Sequence, residues 1–159
     1  MFNIVRYRYG KCSFKHIQLY VQKYRLFTTK NTCKDINNLL IRGITHYDNN
    51  QSVNAVNCFD RIIKDENAEK GAKATAHLYM AKTRMRGSSR SELLSIGSLE
   101  KSRDLFKQMN EAQLNDYKEY EKEMKKEFET IIINYGSLDE YKRRLKLFLK
   151  NLKISIPDD

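Results

Sequence analysis

Ile36-Asn37-Asn38-Leu39-Leu40-Ile41-Arg42-Gly43-Ile44-Thr45-His46-Tyr47, then Asp48-Asn49-Asn50-Gln51-Ser52, then Val53-Asn54-Ala55-Val56-Asn57-Cys58-Phe59-Asp60-Arg61-Ile62-Ile63: the reading of this stretch decides the fold. In its first part Ile36, Leu39, Leu40, Gly43, Ile44 and Tyr47 recur three or four residues apart, which places them on one face of an α-helix and not on the alternating face of a strand. Thr32 is the expected N-cap. The five polar residues that follow interrupt the pattern. A second apolar face then begins with Val53, Val56, Phe59, Ile62 and Ile63, and Ala55 is small enough to let a partner helix come close. Two helices joined by a short polar turn make a hairpin, expected over residues 33–65.

Moving toward the C-terminus, Ala72, Ala76, Tyr79, Met80 and Thr83 form an apolar stripe over residues 70–86. Gly87-Ser88-Ser89-Arg90-Ser91 reads as a loop, followed by a short Leu93-Leu94 turn. Gly97-Ser98 is then expected to start a helix facing inward with Leu99, Ser102, Leu105, Phe106 and Met109, completing a hairpin over 70–109. Tyr117, Tyr120, Met124, Phe128, Ile131, Ile132 and Tyr135 form the longest helical stripe, ending where Gly136 can take a left-handed cap. Ser137 with Glu140 spells a capping box for a last helix whose Tyr141, Leu145, Phe148 and Leu152 are expected inside. That gives a third hairpin, 111–154.

The chain has one Pro, at 157, and six Gly in 159 residues, so little interrupts helices. The fold class is all-α: three antiparallel helical hairpins stacked as a short solenoid or bundle. Phe59, Phe106 and Phe148 each fall on the second helix of a hairpin. Such self-similar pairs stack because one hairpin alone cannot bury both of its faces.

The charge is unevenly placed. Lys and Arg number 30 against 20 Asp and Glu, yet residues 1–34 hold eight of the cations and no acid, the first acid being Asp35. Arg6, Arg8, Lys11, Lys15, Lys23 and Arg25 alternate with an apolar series, Phe14, Ile17, Tyr20, Val21, Tyr24 and Phe27, at helical spacing. This segment resembles a mitochondrial transit peptide, and Arg25-Leu26-Phe27-Thr28-Thr29 resembles a matrix-protease site. The expected organisation is a leader over 1–27, unstructured chain to about residue 31, and a helical-repeat domain over 32–154 in the mitochondrial matrix. No continuous apolar core of a secretory signal is present, and no apolar run approaches the roughly 20 residues a membrane span needs.

Cysteines at 12, 33 and 58 make neither a CxxC nor an even framework, which speaks against disulfides and zinc. His16, His46 and His77 have no metal-ligand spacing. No phosphate-cradling loop, no HExxH and no Gly-x-Ser-x-Gly is found. The expectation is a protein that is not an enzyme and uses no cofactor.

Gly43 with Ala55-x3-Phe59 resembles the tetratricopeptide repeat, which pairs a Gly on the first helix with Ala-x3-Phe on the second. Ala81 with Ser102-x3-Phe106 matches more loosely, and Arg144-x3-Phe148 hardly at all; the longer Sel1-like relatives suit the length of the units. The resemblance implies a concave groove lined by first helices, here Asn37, Leu40, Ile44 and Tyr47, then Thr75, Leu78, Lys82 and Met85. It implies a protein partner, an apolar or helical segment, since Leu40 and Ile44 replace the polar pair that would hold a carboxylate. Gly97 to Met109 also looks like the second helix of a pentatricopeptide repeat, which would imply RNA.

Residues 111–130 are rich in acid, while 137–153 are rich in base. Packed antiparallel, the two helices are expected to neutralise each other. The alternative is that Arg143, Arg144, Lys146 and Lys150 face outward and meet RNA phosphates, as in a subunit of a mitochondrial ribosome. The leading expectation remains a non-catalytic protein–protein interaction module, an adaptor or assembly subunit.

Overall fold

The computed structural model describes residues 31–155, with the backbone alone for 31–34; the leader expected at 1–27 lies outside them. The described residues form α1 (Asn31–Asp48), α2 (Ser52–Lys64), α3 (Lys70–Met85), α4 (Ser89–Lys107), α5 (Glu111–Asn115), α6 (Lys118–Tyr135) and α7 (Leu138–Asn151), with no strand among them. The all-α reading holds, and the packing is that of a helical bundle. Consecutive helices pair as hairpins α1–α2, α3–α4 and α6–α7. Each later hairpin also leans on the one before. α3 packs against both α1 and α2, α6 against both α3 and α4, and α7 against α4 and α6.

Close approach between helices comes from missing or small side chains. A Cβ built on Gly43 would meet Phe59 Cε1 at 2.5 Å, so α1 lies on the Phe59 ring, and Ala55 beside it is fully buried. α3 and α4 pack through Ala72, Ala74, Ala81, Ser95 and Ser98, all buried, and Ser102 Oγ donates to the Ala74 carbonyl at 2.8 Å. Around these contacts Phe59, Ile62, Leu78, Ile96, Leu99 and Leu149 are removed from water, each worth about 1.5–3 kcal/mol of transfer free energy.

The ends of the elements follow from local chemistry. Ser88 accepts from the Ser91 amide and caps α4, and Asn110 and Gln113 form a full capping box on α5. Gly136, at φ +81°, ends α6 in the left-handed region. Ser137 accepts from the Glu140 amide at 3.1 Å, which is half of the expected box, because the Glu140 carboxylate turns instead to Arg143 and Arg144.

Several expectations are corrected. Residues 89–107 are one helix, not a loop, a turn and a helix started by Gly97-Ser98. A lone interior Gly costs about 1 kcal/mol relative to Ala, less than burial of Leu93 and Ile96 before Gly97 and Leu99 after it returns. Thr32 lies inside α1 and does not cap it. Val53 is 74% exposed, Ile132 52%, Phe148 49% and Leu152 53%, so none belongs to the core. On α7 the deepest line is Tyr141, Leu145 and Leu149. A helix laid across two neighbours has one line of deepest contact, and the adjacent line, Glu140-Arg144-Phe148-Leu152, is left at its margin. Phe59 and Phe106 are buried, Phe148 is not, and the repeated phenylalanine therefore stops after two hairpins.

Candidate docking face

The eight residues expected to line a concave groove do not form one. Leu40, Ile44, Tyr47, Thr75 and Leu78 are buried, because α3 packs against α1 and α6 against α3 where the groove would open. Asn37, Lys82 and Met85 are half-buried. Thr75 spends its hydroxyl on the Gly71 carbonyl one turn back, at 2.9 Å.

Lys82 joins three helices. Its ammonium lies 5.6 Å from the centre of the Tyr47 ring and 5.2 Å from that of Tyr79, donates to Glu123 of α6, and sits 3.7 Å from Glu127. The Tyr79 hydroxyl donates to the same Glu123 at 3.1 Å. Burial pulls the Lys82 ammonium down, but the Glu123 hydrogen bond and charge, with Tyr47 and Glu127, outweigh it and raise the pKa. A lysine so held stays charged at neutral pH and is neither base nor nucleophile. It is a tie between α1, α3 and α6.

His77 is the other perturbed group. Its Nδ1 is buried without a partner, and burial, with Lys101, Arg84 and Lys73 adding like charge, pulls the imidazole down to about 4. The ring is therefore neutral near pH 7. The cleft lined by Ile36, Asn37, Asn67, Glu69, Ala72 and Tyr117 has room for about one water molecule. His46 Nδ1 pairs with Gln51 Oε1 at 2.5 Å. No group of three metal-ligating side chains gathers among the described residues, and Cys58 is a buried free thiol.

What the described residues do present is apolar surface in one place. Of the eight large apolar side chains they leave exposed, six fall in the last hairpin and its end: Ile132, Ile133, Leu147, Phe148, Leu152 and Ile154. Scattered single exposures are ordinary, whereas contiguous apolar patches larger than a few hundred Å² are not. The Arg144 guanidinium lies 5.9 Å from the centre of the Tyr135 ring, and Tyr135 stacks on Tyr141 at 4.3 Å, which fixes the register of the two helices. Ile132 is one turn before Tyr135 and Phe148 one turn after Arg144. Antiparallel pairing therefore carries both to the same seam, with Leu152 beyond.

The four expected RNA contacts all lie on α7. Arg143 and Arg144 are exposed, and both guanidinia bond Glu140, at 2.7 and 2.8 Å. Those bonds hold the half-buried Glu140 carboxyl down, to about 2. Lys146 is half-buried and Lys150 exposed. The ion pairs of Lys142, Arg143 and Arg144 do not go to α6 as expected. Lys142 pairs with Glu100 of α4 at 2.9 Å, Arg143 and Arg144 stay within α7, and the α6 acids Glu123 and Glu127 face Lys82 of α3. The seam was invisible in the sequence because the periodicity assigned Ile132, Phe148 and Leu152 to the core; the signal that could have found it is the three-in-a-row Leu147-Phe148-Leu149, of which one helix face can bury only part.

No helix among the described residues is long and apolar enough to cross a membrane. No protein-family model, no curated protein and no solved structure matches the chain.

Proposed function

We propose that this chain is a non-catalytic interaction module, an adaptor or assembly subunit that holds a protein partner on the outer face of its α6–α7 hairpin. The observation that carries this reading is the concentration of exposed Ile132, Phe148 and Leu152 at one seam of an otherwise well-buried bundle. Half-buried aromatic and aliphatic side chains at a two-helix seam are the anchors by which interfaces gain most of their free energy. The acid-free, amphipathic first 34 residues support delivery to the mitochondrial matrix, where such a subunit would act.

The test places a photoreactive benzoylphenylalanine at position 148 and, as control, at the exposed position 54 on α2. The reading expects one protein to be crosslinked at 148 and not at 54. That protein, made separately, must then bind the purified wild-type chain and lose at least tenfold in affinity to the Phe148→Glu, Leu152→Glu double variant. Equal crosslinking at both positions, or unchanged affinity, removes the face from consideration.

A further inference from the structure

We infer that the α6–α7 seam takes an acidic amphipathic helix, a partner class that rests on the docking face proposed above. The fold itself shows how such a seam is filled. α3 lies against both helices of the α1–α2 hairpin and α6 against both helices of the α3–α4 hairpin, while among the described residues no helix follows α7. The seam between α6 and α7 is thus offered in the geometry that twice receives a helix, and its apolar members, Ile132, Phe148 and Leu152, sit at its margin to meet the spaced anchors of an amphipathic one.

Charge selects the sign of the partner. Beyond Phe148 the outward surface of α7 carries three exposed cations, Arg144, Arg143 and Lys150, against two carboxylates, the exposed Asp139 and the half-buried Glu140, the latter shared by both arginines. This flank is a net cation, so a helix lying along Phe148 and Leu152 gains from acids on the side turned toward α7 and loses from bases there. The chain's own outlying segment does not fit, because residues 1–30 hold seven Lys and Arg and no acid. A lipid surface fits less well than a helix. A helix lying on a membrane presents its apolar stripe along the outermost line, whereas here that line is Arg143, Leu147 and Lys150, and Phe148 and Leu152 turn into the seam. RNA fits least, since Phe148 is the one aromatic ring on the exposed side of α7 and offers no series of stacking platforms.

The experiment uses the full chain and three fluorescein-labelled 18-residue helical peptides. All carry Leu at i, i+3, i+4 and i+7 repeats on an Ala background, with the remaining flank positions Glu in one, Gln in the second and Lys in the third. Binding is read by anisotropy at two salt concentrations, beside co-sedimentation with phosphatidylcholine vesicles containing or lacking phosphatidylserine. The Glu peptide should bind at least tenfold more tightly than the Lys peptide, with Gln between them. Phe148→Glu with Leu152→Glu should cost at least tenfold, and Arg144→Gln with Lys150→Gln should cost about threefold to tenfold while flattening the salt dependence. Equal binding of the three peptides, indifference to these variants, or no peptide binding at all overturns the partner class. Sedimentation with anionic vesicles that Phe148→Glu abolishes would overturn it in favour of a lipid surface. Failure here with specific crosslinking at position 148 leaves the docking face standing and only its partner class wrong; failure of both removes the face.

Discussion

Gly43 lies against the ring of Phe59 so closely that a Cβ on residue 43 would stand 2.5 Å from Phe59 Cε1 and 3.1 Å from Cys58 Cβ. Phe59 is fully buried and has no room to withdraw. Gly43→Ala should therefore destabilise the bundle, since overpacking costs about 1–3 kcal/mol and the better helix propensity of Ala returns about 1 kcal/mol. A net loss of up to about 2 kcal/mol would appear as a lower urea midpoint with unchanged slope. An unchanged or higher midpoint would show that the two helices slide apart at no cost.

Gly97 gives the opposite sign. It sits inside α4, exposed, with nothing within 4 Å of a Cβ built on it. Gly97→Ala fills no occupied space and removes backbone freedom from the unfolded chain, so it should stabilise by about 0.5–1 kcal/mol. If residue 97 instead marks a break between two helices, the substitution will destabilise.

These two glycines show what the sequence could and could not say. Gly43, Ala55 and Phe59 were legible because their spacing states a packing rule, and both the first hairpin and the all-helical class follow from it. Gly97 was misread as a helix start because propensity is local, while the burial of Leu93, Ile96 and Leu99 that overrides it is tertiary. The same holds at the last hairpin, where Tyr141, Leu145, Phe148 and Leu152 fit a helical face as well as Tyr141, Leu145 and Leu149 do. Only the position of α4 and α6 decides between the two lines. The groove failed for a third reason: a match of Gly and Phe positions reports how two helices touch, not whether Leu40 and Leu78 are left open by the next hairpin. The contact of Gly71 with the Tyr117 ring, which ties α3 to the start of α6, has no sequence signal, since it joins residues 46 positions apart.

Acid should weaken the fold through His77. Its folded pKa, about 4, lies below the ordinary value of 6.5, so between these values the unfolded chain binds the proton and the folded chain does not. Stability from this group is complete above about pH 6.5 and falls as the pH drops through 6.5 toward 4. For a part-exposed side chain the loss at pH 5 is about 1 kcal/mol once solvent screening is allowed for. His77→Met removes the titration and the unpartnered Nδ1, and its urea midpoint should change less between pH 7 and pH 5 than that of the wild type. Parallel changes in the two proteins would place the acid sensitivity elsewhere.

Lys153 ends α7 at φ +56°, with the Ile154 amide bonded to the Leu149 carbonyl at 3.0 Å. A residue with a Cβ pays about 1–2 kcal/mol for that conformation, part of which glycine recovers. Lys153→Gly should raise the urea midpoint by the equivalent of about 0.5–1 kcal/mol. A fall would mean that the lysine side chain makes a contact worth more than the strain.

Phe59 and Phe148 occupy corresponding places on the second helices of the first and third hairpins, yet one is sealed and the other is 49% exposed. Phe59→Ala opens a cavity beneath Gly43 and should cost about 3–5 kcal/mol, a large share of the roughly 5–15 kcal/mol that holds an ordinary domain folded. Phe148→Ala removes a ring that water already reaches on one side, and its cost should stay below about 1 kcal/mol. The contrast bears on the proposed docking face, because a large apolar side chain half in water contributes little to folding. Paired urea titrations of the two variants measure it directly. Equal losses would mean that Phe148 is a core residue after all, and the apolar seam would then lose its central anchor.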